Sequence, residues 1–431
     1  MQFPSLRRDV TTEVDRTDRS GYVFLHLLVV AVSSATFSVL HWRGIPLSLD
    51  SWAYWQAAVS IANGSGYRFF SGDPVTAWPP LYSAYLSLWV RALGSTGVAL
   101  VLANAVLISL QSLAWFHTVR SIWIGNRNMY RTPALFAVAL YIGLFVPLTL
   151  QAAHAANLGF LCTAVMMFYV WRANQASTDS RWWICIVAAA FSGTLALLSH
   201  NANLAFVVGC PMALLLLRHS SWRDIFGVAS LVVLPTLIWL TVRWQLGQSD
   251  SHPVGLSVAS FGLWQYLSQA VIVVGNLIVP SIFGAATFMG ILVFAWCGWG
   301  VVSTSKSWAT DSEKFVAATV LFTCVAVVSL FSLSSVTDPI GSRFVGWVPV
   351  LIVPVALFRA ARRSALALLV VAAIAMAPNI HRFATFSKIH ADQNPDTDTG
   401  PLFPLGALIS PNYLSGSPVK TEHGLLIAPP K

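Results

Sequence analysis

The chain has 431 residues, of which 56% are hydrophobic and only 10% are Asp, Glu, Lys or Arg; its mean hydropathy is +0.69 and its net charge +9. A soluble globular domain carries roughly 25% charged residues, so this chain lacks the charge to solvate a surface, which excludes a cytosolic enzyme, a disordered scaffold, a coiled coil and a nucleic-acid-binding domain. Long apolar runs, in place of the short alternating segments of a closed barrel, point to an all-α polytopic membrane protein.

The first twenty residues hold four Arg and four acidic residues, and the apolar run from Gly21 to Trp42 follows them. That run is too long for a signal-peptide core and lacks a small-residue cleavage site, so it reads as a retained first span. Eleven spans are predicted, near 22–42, 97–116, 133–150, 155–171, 182–199, 201–217, 225–242, 284–302, 315–334, 344–358 and 364–380. With a cytoplasmic N-terminus, the inner segments 1–20, 117–132, 172–181, 218–224, 303–314 and 359–363 hold 16 of the 25 Lys and Arg, in accord with the positive-inside rule. The apolar stretch from Trp264 to Ile282 breaks this pattern. If it spanned, Arg359, Arg362 and Arg363 would face outward, so it reads as re-entrant or interfacial on the outer side. The organisation expected is a membrane domain over 1–383, with a first outer (periplasmic) loop at 43–95, and an extended outer tail over 384–431. The five cysteines (Cys162, Cys185, Cys210, Cys297, Cys324) sit inside apolar runs, with no spacing that suggests a metal or a disulfide framework.

The loop 43–95 is the longest between spans, and long loops are usually functional. A helical pattern runs from Ser51 to Asn63, with Gln56, Ser60 and Asn63 on one stripe and Tyr54, Ala58, Ile61 and Ala62 opposite. The segment Asn63-Gly64-Ser65-Gly66-Tyr67 breaks it. A second short helix follows Pro79-Pro80, carrying Tyr82, Tyr85 and Trp89. Neither helix reaches the ~20 residues a span requires, and both suit an interfacial position. The chain has 16 acidic residues in all. Setting aside the terminal tails and the inner loops, only Asp50, Asp73, Asp250 and Asp338 remain on the outer face of the membrane core, and the loop holds two of these four.

An Asp after the first span (Asp50), Tyr54 four residues on, the Gly66-Tyr67 turn and then Trp78-Pro79-Pro80-Leu81-Tyr82 resemble the first outer loop of GT-C glycosyltransferases. The branch resembled is the one that includes protein O-mannosyltransferases and aminoarabinose transferases. Gly193 to His200 is similar to a span end of that family, and Asp338 to Phe344 followed by Pro349 is similar to its late Arg-Tyr-Pro segment. The resemblance covers roughly residues 40–355. It implies a GT-C-like helical bundle over an outward cavity in a bacterial inner membrane, and a polyprenyl-phosphate sugar donor. It implies inverting transfer to a hydroxyl of a glycan, lipid or protein acceptor, with Asp50 as general base. Arg343 and His200 then stand where the leaving phosphate would be stabilised, and Asp73, Tyr54, Trp78, His154 and Asn201 are further candidates for substrate contact.

Other readings stay open for the same residues. Asp50 suits a helix N-cap, Asp73 a turn, Arg343 a headgroup anchor, His200 and Asn201 a polar hairpin tip, His154 an interhelical hydrogen bond, and Tyr54 and Trp78 interfacial aromatics. The sequence departs from the family at Ser51, where a second acid is common, at Trp78, where some relatives carry Lys, and in Gln151 to Asn157, a turn that often holds a Glu. Fewer acids weaken the case for a divalent metal, which requires several oxygen ligands, and leave room for a non-catalytic accessory protein. A transporter or flippase ranks last, because ionisable residues in mid-span are nearly absent.

Overall fold

The computed structural model describes residues 8–41, 44–46, 49–75, 78–123, 131–149, 154–217, 222–246, 262–279, 285–303, 310–333, 342–392, 402–404, 419–420 and 426–427. Asp250 and Asp338 lie outside them. The fold is helical: α1 (Arg8–His41), α2 (Leu49–Ala62), α3 (Leu81–Leu93), α4 (Gly97–Trp123), α5 (Arg131–Thr149), α6 (Ala155–Asn174), α7 (Asp179–Ser199), α8 (Leu204–Leu217), α9 (Trp222–Gln245), α10 (Leu263–Ile278), α11 (Ala286–Val302), α12 (Asp311–Leu333), α13 (Ser342–Val345), α14 (Trp347–Arg363) and α15 (Ala365–Asp392). Eight of these, α1, α4, α5, α6, α7, α9, α12 and α15, contain segments long and apolar enough to cross a membrane. Each of the eleven predicted spans coincides with a helix; α8, α11 and α14 are the shorter ones. Short antiparallel strands complete the chain. Gly44–Pro46 in the first loop pairs with Leu402–Pro404 in the tail, which brings the tail back to the end of the bundle where that loop sits.

The two ends of the bundle differ in what holds them. At one end, α4, α6, α12 and α14 converge: the Ser312 hydroxyl donates to the Ile122 carbonyl at 2.6 Å, Trp123 stacks on Phe358, and Trp171 meets Phe315. There the start of α12 is a capping box. The Thr310 N–H donates to Glu313 Oε2 at 2.9 Å, and the Glu313 N–H donates to the Thr310 hydroxyl at 3.3 Å. The other Glu313 oxygen accepts from Arg359 Nε at 2.8 Å, so one buried carboxylate fixes α12 to α14. The starts of α7 and α9 are tied by Arg223, which pairs with Asp179 and lies over the Trp182 ring.

At the opposite end lie the loop helices. The Asn63-to-Tyr67 break takes the form of a turn in which Gly64 and Gly66 adopt φ of 80° and 84°, left-handed values that disfavour a side chain. The aromatic stripe of α3 packs on α4: the Tyr82 hydroxyl donates to Asn104 Oδ1 at 2.9 Å and the Tyr85 hydroxyl to the Ala103 carbonyl at 2.6 Å. α2 is buried on nearly all sides, including Gln56 and Ser60 of its polar stripe. The Gln56 amide oxygen is used, accepting from the Phe70 N–H at 3.2 Å.

Candidate functional site

Asp50 stands in the first turn of α2, where the helix dipole favours an anion. Its two carboxylate oxygens face different partners. Trp78 Nε1 donates to Oδ1 at 2.9 Å, and His154 Nε2 lies 3.3 Å from Oδ2. The His154 tautomer follows from its other nitrogen. Nδ1 accepts from the Ala156 N–H at 3.0 Å as the N-cap of α6, so in the neutral ring the proton sits on Nε2 and points at Asp50. His154 is buried, whereas the Asp50 side chain keeps 32% of its surface open.

Trp78 is itself positioned by Tyr67, whose hydroxyl donates to the carbonyls of Trp78 at 2.8 Å and Pro79 at 3.2 Å. Burial pushes the Tyr67 hydroxyl well above the usual tyrosine range, with Ser83 offsetting this in part, so it remains a proton donor at any physiological pH. The Phe69 ring closes edge-on against Trp78.

His200 lies beside His154, with ring centroids 5.1 Å apart. It uses the same device: Nδ1 accepts from the Ala202 N–H at 3.3 Å, capping the 3-10 turn that leads into α8. Its ring meets Phe344 of α13 at 6.3 Å. Thus the N-terminal ends of α2, α6 and α8 converge on one region, where they present the positive ends of three helix dipoles.

The other sequence candidates divide. Tyr54 is buried edge-on between Tyr82 and His154, and so supports the site from below. Asn201 adjoins His200 but turns its side chain away, accepting from Trp239 Nε1 at 3.0 Å. Asp73 is exposed near the tip of the hairpin formed around the Arg68–Pro74 bridge, and it accepts from the Ser71 hydroxyl at 2.8 Å. It is not among the described partners of Asp50, Trp78 or His154. Arg343 falls in α13, one residue before Phe344, and its side chain lies outside the described residues.

A layer beneath the site was missed in the sequence. Asn104 Oδ1 accepts from both Tyr82 and, at 3.2 Å, Asn157 Nδ2, while its own amide donates to the Leu100 carbonyl. This buried polar group locks α3, α4 and α6 together under Asp50. Its only sequence signal is an Asn inside each of two apolar runs. Among the described residues no group of three or more His, Cys, Asp or Glu is placed to hold a metal ion.

No protein-family model and no curated protein matches the chain. Among solved structures it is similar to ArnT from Cupriavidus metallidurans in the apo state, at 15% identity over 86% of this chain and 77% of that one, with a TM-score of 0.47. It is also similar to ArnT from Cupriavidus metallidurans bound to undecaprenyl phosphate, at 14% identity over 88% and 82% of the two chains, with a TM-score of 0.45.

Proposed function

We propose that this chain is a membrane glycosyltransferase of the GT-C kind that moves a sugar from a polyprenyl-phosphate donor to an acceptor hydroxyl. The carrying observation is the Asp50 carboxylate, held between Trp78 and His154 at one end of an apolar bundle yet open on one side. Two N–H donors fix its orientation. In this reading the partly exposed carboxylate takes the proton of the acceptor hydroxyl as the acceptor oxygen bonds to the anomeric carbon. The carbon–phosphate oxygen bond breaks with inversion, and its electron pair leaves with the polyprenyl phosphate. The charge that develops there falls where three helix N-termini converge, with His200 Nε2–H and Arg343 of α13 as further donors. The positive-inside distribution of Lys and Arg supports an outward position for this end.

The serine that replaces a second acid takes nothing from this site. Ser51 is 1% exposed and packed into the bundle, so an acid there would not face the opening beside Asp50. This favours an active transferase over an accessory protein that only binds lipid.

The test is transfer from a labelled polyprenyl-phosphate sugar by the purified protein. Asp50→Asn keeps the shape and an acceptor for one of the two donors, removes the base, and lowers kcat by about 10²–10⁴. Unimpaired turnover in Asp50→Asn removes Asp50 from the role of base, and tight binding of polyprenyl phosphate with no turnover by the parent protein favours the accessory reading.

A further inference from the structure

The seam between α1 and α4 carries three polar pairs. The hydroxyls of Ser33 and Ser112 lie 2.9 Å apart, as do those of Ser34 and Ser109. The third pair lies toward the Glu313 end of the bundle, where His26 Nε2 is 3.4 Å from His117 Nδ1. The backbone decides its protons. His26 Nδ1 donates to the Tyr22 carbonyl at 2.6 Å, so in the neutral ring Nε2 accepts and His117 Nδ1 is the donor. The exposed His117 ring can then carry a further proton on Nε2 with both hydrogen bonds intact.

Two arginines border this pair. Arg120, nearly one turn beyond His117 in α4, lies over the Tyr22 ring at 3.8 Å. Arg172 of α6 is exposed about one turn beyond Phe168, whose ring meets His117 at 5.0 Å. Both arginines are near enough for their charges to act on the His117 ring. Thus α1, α4 and α6 bring four basic side chains to one lateral face. At this end Asp179 is taken by Arg223 and Glu313 by Arg359. Among the described residues no acid pairs with Arg172, His26 or His117. From His117 the exposed stripe of α4 continues through Leu110, Val106 and Leu102, and Leu27 of α1 is exposed beside His26.

Basic heads at the end of an apolar stripe match a phosphate at the end of acyl chains. We propose that this face docks an anionic phospholipid, with its phosphate against Arg172 and the Nε2 edge of His117 and its acyl chains along the exposed stripe of α4. A proton on His117 Nε2 is donated to a phosphate oxygen while Nδ1–H stays with His26. A zwitterionic headgroup is disfavoured, because its ammonium meets four basic side chains and no described carboxylate. The face lies at the end of the bundle opposite Asp50, so the inference is independent of the transferase reading.

The experiment is lipid titration of the purified full chain in detergent, read by native mass spectrometry. The probes are phosphatidylglycerol, phosphatidylcholine and inorganic phosphate. Phosphatidylglycerol is expected to bind at least about tenfold more tightly than phosphatidylcholine, and inorganic phosphate is expected not to displace it. His117→Gln combined with Arg172→Gln should bring the two lipids to within about twofold of each other, and Arg172→Lys should keep the preference. Arg362→Gln combined with Arg363→Gln removes two exposed charges from the same end of the bundle and should leave the preference as in the parent. Arg172→Gln alone, at an exposed position, should lose part of the preference and covers the case in which the double variant fails to fold. Equal binding of the two lipids by the parent overturns the proposal, as does a preference indifferent to Arg172→Gln. An equal loss in the Arg362 and Arg363 variant also overturns it, since the preference would then belong to the charge of the whole end. Displacement by inorganic phosphate would make this a site for a free anion and overturn the lipid assignment.

Discussion

His154 performs two tasks with its two ring nitrogens, and substitution separates them. Nδ1 caps α6 while Nε2 faces Asp50. Asn at this position offers a side-chain oxygen to the Ala156 N–H but is too short to reach Asp50. His154→Asn should therefore keep thermal stability within a few tenths of a kcal/mol, whereas His154→Ala loses about 1 kcal/mol with the cap. Both lose the contact to the carboxylate, and turnover should fall about tenfold or more in each, the size expected for a hydrogen bond to a charged group. Full activity in His154→Asn, measured alongside its melting temperature, would show that the Asp50 contact carries no catalytic weight. Asp50, Trp78, His154 and His200 were legible in the sequence because each is a polar or amphipathic residue at a span end or in the first loop, where a functional group stands out against apolar neighbours. Asn104 and Asn157 were not. Each lies inside an apolar run, and a single Asn there does not reveal that Tyr82 from another helix shares its oxygen.

Among helices, the same contrast separates what the pattern revealed from what packing decided. Apolar run length placed the spans, and the Gly-rich break and Pro79-Pro80 placed the ends of α2 and α3. The burial of the polar stripe on α2 depends on Phe70 and on the bundle behind it, neither of which lies within the helix's own sequence. The junction of α12 and α14 is a further case, since Glu313 and Arg359 looked like ordinary residues of inner segments. The Glu313 side chain is 3% exposed and that of Arg359 36%, so the two partners are not equivalent. Arg359→Met leaves a buried carboxylate with only the Thr310 N–H among its described partners, and should destabilise the bundle by about 3–5 kcal/mol. Glu313→Gln keeps an oxygen for the Thr310 N–H and leaves an arginine that reaches water, so it should cost nearer to about 1 kcal/mol. Detergent-solubilised protein melted with each variant checks the order. A larger loss for Glu313→Gln would mean that the charge on Arg359, and not the burial of Glu313, dominates.

At the scale of the whole bundle, parity bears on the one ambiguous segment. α9 begins at the Asp179 end, where Arg223 is held, and finishes at the Asp50 end, where Trp239 donates to Asn201. α12 begins back at the opposite end, with Ser312 bonded to the carbonyl of Ile122. Between the two the chain must therefore cross an odd number of times, and among the described residues α10 and α11 are the helices available. α10 has both of its ends at the Asp50 side. Tyr266 packs against Phe331 near the end of α12, and the Asn276 carbonyl accepts from Arg382 in the second half of α15. We infer from these contacts that α11 is the crossing helix and that α10 enters from the Asp50 side and stays there, the reading the charge distribution also favours. Close packing supports the pairing, since a Cβ on Gly275 would strike the backbone of Ala286 and one on Gly290 the backbone of Val271. A thiol probe decides it. With Cys185 replaced, the remaining cysteines are buried, so Ser65→Cys in the first loop, Ser177→Cys between α6 and α7 and Ser303→Cys after α11 report on single sites. In sealed cells an impermeant maleimide should label Ser65→Cys only, with Ser177→Cys and Ser303→Cys reacting after permeabilisation. If Ser303→Cys labels together with Ser65→Cys, α10 crosses the membrane, and the buried pair of Glu313 and Arg359 would have to sit on the outer face.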